Sequence, residues 1–212
     1  MEPPRSLAAQ LFLLAWDSRR ERVLGQGQLG NALRAAALCD LVLQGRLAID
    51  DRRVVIPANA GAARPGRPAG DPLLEDLVAA TAADRPRRIG SWIQRGRRRT
   101  LGAVRDQLAA DRLIEVERRR VAGLPLDRRV RVNNPRPVEI LHTTVQRALA
   151  GGHVEPRVAT LVVLGASAEL RTVLTWRQRR AHRTRIAELT AQVGDPLPAA
   201  VKALKDARSY AG

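Results

Sequence analysis

Residues 156–174, Pro156-Arg157-Val158-Ala159-Thr160-Leu161-Val162-Val163-Leu164-Gly165-Ala166-Ser167-Ala168-Glu169-Leu170-Arg171-Thr172-Val173-Leu174, decide the fold. Leu161 to Leu164 form a run that is apolar on every side of a helix. A helix with no polar stripe has no face to give to water, so this one belongs at the centre of a bundle. The rest of the composition agrees. Aromatic residues make up only 2% of the chain, so the core is built from Leu, Val and Ala, which suits close-packed helices better than an aromatic-rich sandwich or barrel. With 212 residues, 45% of them hydrophobic, the expectation is a single mainly α domain over 1–212, its core at about 7–207.

Working outward, Ser6 is a natural cap for a helix with Leu7, Leu11, Leu14 and Ala15 on one stripe. Gly25, Gly27 and Gly30 break that pattern. Asn31 then caps a second helix to Leu43, with Leu33, Ala36, Ala37, Leu41 and Cys39 on its apolar side and Gly45 as its left-handed stop. Arg46 to Ile56 reads as a short β-hairpin turning at Asp50-Asp51, and Pro57 to Gly70 as a loop. Asp71 caps a helix that opens with Pro72 and carries Leu73, Leu74, Leu77 and Val78. Helices follow at 89–94 and 101–113. Ile114 to Glu117, a turn at Val121 to Pro125, and Arg129 to Val132 make a second hairpin with one wet face. The pattern then returns to helix at 138–150, 177–192 and 198–207.

The charge is one-sided: 37 Lys and Arg against 21 Asp and Glu, a formal +16. All the basic residues except Lys202 and Lys205 are arginines. A guanidinium grips phosphate with two parallel hydrogen bonds, so the composition points to a polyanionic partner. Cys39 is the only cysteine, which leaves no internal disulfide or cysteine zinc site and favours a reducing, cytoplasmic setting. No apolar run approaches the ~18 residues of a membrane span. Leu7 to Trp16 has the length of a signal-peptide core, but Asp17-Ser18-Arg19-Arg20 is no cleavage site.

Enzyme signatures are weak. Gly25-Gln26-Gly27-Gln28-Leu29-Gly30, with Asp50 beyond it, copies a dinucleotide fingerprint, but only Val23 and Leu24 stand for its buried strand. His142, His153 and His182 lack ligand spacing. No P-loop, nucleophile elbow or paired apolar carboxylates occur. The expectation is therefore no catalytic residues, no metal and no cofactor. The basic runs say more. Arg95 with Arg97 to Arg99, and Arg118 to Arg120, flank the helix at 101–113, while Leu124-Pro125-Leu126 is an apolar tip framed by cations up to Arg128. That is the composition of a loop that dips into a headgroup layer. The same helix and hairpin also read as a winged helix on DNA.

Taken in order, these segments resemble the Golgi phosphoprotein 3 family. The resemblance runs from about Leu7 to Ala207 and rests on Ala32-Leu33-Arg34, Leu41 to Leu47, Pro68 to Leu74, Ser91-Trp92-Ile93 and Val104 to Leu108 followed by the hairpin. It implies a central helix bundle ringed by amphipathic helices, and peripheral membrane proteins that bind phosphatidylinositol 4-phosphate. It implies a headgroup pocket of Arg34 and Arg105, with Arg98 as a third contact. It also implies a membrane-contact hairpin at Leu124, Leu126 and Arg128, through which copies self-associate. The family's headgroup tryptophan falls near Gly25 or Gln26, where no aromatic stands, and a further arginine falls at Gly102. A chain that starts this close to its core is expected of a bacterial member.

Overall fold

The computed structural model describes residues 2–23, 26–51, 53–58, 71–121 and 124–209, with the side chains of 26, 118–121 and 124–128 outside that description. Ser6 accepts the Ala9 N–H and starts α1 (Leu7–Leu14). The chain then makes a two-residue antiparallel pair, β1 (Trp16–Asp17) with β2 (Arg22–Val23), before α2 (Gln26–Leu43). β3 (Ala48–Asp50) and β4 (Arg53–Val55) form the expected hairpin around Asp51, which has a left-handed φ of 42°. Asp71 accepts the Leu73 N–H and caps α3 (Pro72–Ala83), as its sequence requires. β5 (Arg87–Arg88) joins β4, and α4 (Ile89–Gln94) and α5 (Arg97–Ala110) follow. The second hairpin is β6 (Ile114–Val121) with β7 (Leu124–Val132). Four helices and one short helical piece close the chain: α6 (Arg136–Ala150), α7 (Pro156–Ser167), α8 (Trp176–Ala181), α9 (Arg183–Val193) and α10 (Leu197–Ser209). Among the described residues the fold is mainly helical, with small antiparallel sheets of two or three strands.

Two helices make the centre. Residues 159–166 of α7 are all buried, as an all-apolar run demands. Beside it α2 buries Leu29, Ala32, Leu33, Leu38 and Leu41 completely and packs on α1, α4, α5, α7 and α10. The two are tied by Asp40, fully buried near the end of α2. Its carboxylate accepts from the Leu7 N–H at 2.9 Å, from Gln44 Nε2 at 2.7 Å and from the Arg157 guanidinium in the first turn of α7.

Four boundaries differ from the sequence reading. The first is α5, expected at 101–113 but spanning Arg97–Ala110, so Arg97 to Arg99 lie in its first turn instead of before it. α2 starts at Gln26 rather than Asn31, so Gly27 and Gly30 are helical and Asn31 is a buried helix residue, not a cap. Gly30 serves packing: a Cβ there would sit 2.7 Å from the Arg97 carbonyl oxygen. This also removes the dinucleotide reading. The preceding β2 is a two-residue antiparallel strand and the glycines at 27 and 30 lie in a helix; Gly25 lies outside the described residues. Next, α7 ends at Ser167 instead of Leu174. Glu169 takes a left-handed φ of 55°, and the chain folds back so that Val173 seats on Gly165, 2.9 Å from where a Cβ would be. Leu170, Val173 and Leu174 stay buried in that turn, so the apolar pattern outlasts the helix. Finally, the helix expected at 177–192 is broken at His182 into α8 and α9.

Gly30→Ala should therefore destabilise the protein. The α2–α5 backbones must part to admit the methyl group, and overpacking of this kind costs about 1–3 kcal/mol. Alanine's better helix propensity offsets at most about 1 kcal/mol of that. A lowered midpoint in urea denaturation checks it, and an unchanged or raised midpoint refutes it.

Candidate functional site

The region where α2, α4 and α5 meet gathers cations that the fold neutralises only in part. Arg34, one turn beyond Gly30 on α2, reaches across to α4 and α5. Its Nε donates to the Trp92 carbonyl at 3.1 Å, and one terminal nitrogen donates to Thr100 Oγ1 at 3.3 Å. Both acceptors are neutral, and among the described residues Arg34 has no carboxylate partner. Of five N–H donors, three have no acceptor among the described residues. Burial, and then the positive charge of Arg99, lower the Arg34 pKa from its ordinary value to about 10. The guanidinium is still charged at neutral pH, and no carboxylate among the described residues offsets its charge.

The start of α5 sharpens the imbalance. Gly96, with φ 77° and ψ 8°, is the N-cap and has no side chain to satisfy the helix's first N–H groups. The first intrahelical bond is from the Thr100 N–H to the Gly96 carbonyl at 2.8 Å, which leaves the amides of Arg97 to Arg99 as open donors. The first turn carries three arginines and no acid, although the positive end of a helix dipole favours acids. Each such charge costs typically 0.3–1 kcal/mol in the wrong place. Open amides, an adjacent unpaired guanidinium and misplaced cations are what an anion would relieve.

The expected arginines are placed unequally. Arg98 is exposed and Arg105 half-buried on α5. They stand seven residues apart, so at about 100° per residue they share one stripe, with Gly102 between them and nothing within 4 Å of its missing Cβ. Thr100, which holds Arg34, is about 140° round the helix from Arg105. The cation the structure sets against Arg34 is not Arg98 but Arg99, next to Thr100 in the first turn of α5. Its signal was the helical wheel, since Arg99 and Thr100 flank the same turn. Arg105 places Nε and a terminal nitrogen on Asp106 Oδ1, at 3.1 and 2.9 Å. Asp106 is 72% exposed, and Arg99 meets an equally exposed Asp76 at 3.3 Å. Exposed pairs of this kind contribute about 0–1 kcal/mol, so a phosphate would displace either carboxylate.

The hairpin base is well ordered by contacts. Trp16 Nε1 donates to the Val130 carbonyl at 2.8 Å, Ile114 and Val130 are buried, and Glu115 faces Arg131 and Glu117 faces Arg129 on the wet side. At the far end Val121 pairs with Leu124 and Arg118 with Arg128. The side chains of Leu124, Leu126 and Arg128 lie outside the described residues. Cys39 is fully buried, and burial pushes its thiol up to about 12, so it is an inert core residue. Among the described residues no three His, Cys, Asp or Glu gather as metal ligands, and no helix is long and apolar enough to cross a membrane.

The family model described as Golgi phosphoprotein 3 (GPP34) matches residues 7–207. No individual curated protein matches the chain.

Proposed function

Because this chain belongs to the Golgi phosphoprotein 3 family, we propose that it docks from one side on membranes and holds the phosphorylated headgroup of an anionic lipid of the phosphatidylinositol 4-phosphate type. The family is known for peripheral Golgi proteins that bind that lipid, and it is generally non-enzymatic. The observation that carries the proposal is Arg34: a guanidinium fixed by two neutral acceptors, with spare donors, beside the uncapped start of α5. A phosphomonoester seated there takes the Arg34 fork and the open amides, with Arg98 as flanking cation. Arg105, about 140° round α5 from Thr100, leaves Asp106 to take a second phosphate of the same anionic surface. Leu124 and Leu126 enter the headgroup layer with Arg128 at the rim, and the same hairpin is the route to self-association.

The winged-helix reading gains nothing from the geometry. α5, the helix it would lay in the groove, commits Thr100, Val104 and Leu108 to the core and shows Asp106 and Asp111 on its outer side. Carboxylates there repel a phosphate backbone.

Vesicle co-sedimentation tests the proposal. The protein is expected to pellet with phosphatidylcholine vesicles containing phosphatidylinositol 4-phosphate in preference to charge-matched phosphatidylserine vesicles. Arg34→Ala with Arg105→Ala is expected to erase that preference. Equal pelleting on both lipids, or a preference that survives the double substitution, defeats the headgroup pocket.

A further inference from the structure

The most exposed large apolar side chain among the described residues is Trp176, at 61%. It opens α8, and the Arg177 guanidinium lies over its ring, 5.7 Å from the centroid. From Leu170 to Ala187 the chain carries Arg171, Arg177, Arg179, Arg180, Arg183 and Arg185 and no acid at all. The fold sorts these arginines by face. Arg179 and Arg185 point inward to protein partners: Arg179 to Glu169, and Arg185 to the Ala148 and Gly152 carbonyls and Glu188. Arg177, Arg180 and Arg183 are exposed and have no carboxylate partner among the described residues. The outer face of α8 and the start of α9 is thus one indole set among unneutralised guanidinium groups.

Its place in the bundle matters as much as its composition. Arg157 in the first turn of α7 holds Asp40 near the end of α2, so the two helices run antiparallel. At 1.5 Å per residue, Ser167 lies about 15 Å along α7 from Arg157. Arg208 in the last turn of α10 donates to the Ser167 carbonyl and pairs with Glu169, which brings that helix to the same end. α8 follows directly. The Arg179–Glu169 pair holds α8 beside the turn at Glu169.

We propose that Trp176 with Arg177, Arg180 and Arg183 is a second, headgroup-independent anchor that inserts the indole at the interface of an anionic bilayer. The chemistry is specific to that partner. Indole rings settle at the level between headgroups and acyl chains, where the ring is apolar and its N–H remains hydrated. Arginines beside it meet lipid phosphates, each contributing about a fivefold gain in partition near an anionic leaflet. A single weak signal gives only marginal binding, and two together give stable, reversible attachment. The inference uses the family's peripheral membrane association but not the Arg34 pocket.

The test uses the whole chain with vesicles of phosphatidylcholine and phosphatidylserine, free of phosphoinositide, with and without brominated acyl chains. Binding is expected to shift tryptophan emission to the blue, and the brominated lipid to quench it. Trp16 and Trp92 remain in Trp176→Phe, which is expected to lose that quenching while its thermal midpoint stays put, because the side chain is exposed. Arg177→Gln with Arg180→Gln is expected to lower partition about 25-fold. Arg34→Met is expected to keep the quenching. Phosphoinositide-dependent pelleting without quenching of Trp176 overturns the anchor alone; quenching with no phosphoinositide preference overturns the headgroup pocket alone; no binding to any vesicle overturns both. A Trp176 emission change on duplex DNA but not on vesicles assigns the surface to nucleic acid, and overturns the anchor as well.

Discussion

Arg157→Met is expected to remove about 3–5 kcal/mol of folding stability, the usual consequence of leaving one charge of a buried pair alone. The Asp40 carboxylate has no exposed surface, and among the described residues the only cation that reaches it is the Arg157 guanidinium. The Leu7 N–H and Gln44 Nε2 would still donate to it, but two neutral donors do not offset the lost charge. Arg157 is itself partly exposed, so it draws on solvent where Asp40 cannot. The consequences spread, because this one carboxylate joins the start of α1, the end of α2 and the first turn of α7. For a chain of this size the loss corresponds to a fall of about 10 °C in Tm. Thermal and urea unfolding measure it, and a cost under about 1 kcal/mol defeats the account. Adding Asp40→Leu to Arg157→Met is expected to restore part of the stability, since no unpaired charge then remains. A double variant weaker than the single one would show that the pair does more than neutralise itself.

That network also marks where reading the sequence stops. The all-apolar run at 161–164 announced a central helix, and the caps at Ser6 and Asp71 announced helix starts, because each is a local rule acting within a few residues. Alternation at 114–117 and 129–132 announced the hairpin in the same way. What failed was set by distant partners. Glycine at position 30 reads as a break until Arg97 is packed against it, and the apolar residues of 170–174 read as helix until Val173 is folded back on Gly165. The pair β1–β2 holds two residues per strand, too few for any periodicity. At the candidate site, Arg34 was legible as an arginine on α2. Its anchors, Trp92 and Thr100, lie 58 and 66 residues away and give no pairwise signal in one sequence. The unpaired state of the site is a property of the assembled fold.

Arg34→Met is expected to separate function from stability. In the folded protein the Arg34 charge is opposed by burial and by Arg99, which is why its pKa falls to about 10. A cation whose folded pKa is lowered binds its proton less readily folded than unfolded, so at neutral pH its charge subtracts from stability. Methionine keeps the apolar length of the side chain and removes that charge. It forfeits the hydrogen bonds to Trp92 and Thr100, each a net contribution of about 0.5–1.5 kcal/mol. The terms nearly cancel, so Tm is expected to move by only a few degrees. Affinity for the phosphomonoester lipid behaves differently. Charge-assisted hydrogen bonds contribute about 1.5–3 kcal/mol, so the loss is expected to be roughly tenfold to a hundredfold. Salt adds a second discriminator. The exposed arginines at 97–99 are screened at physiological ionic strength, whereas the half-buried Arg34 is screened much less. Raising salt should therefore weaken general attraction to phosphatidylserine more than the preference for the phosphomonoester, and in Arg34→Met the two should fall together. A variant that loses affinity only in proportion to lost stability would make Arg34 a structural residue and leave the pocket without its anchor.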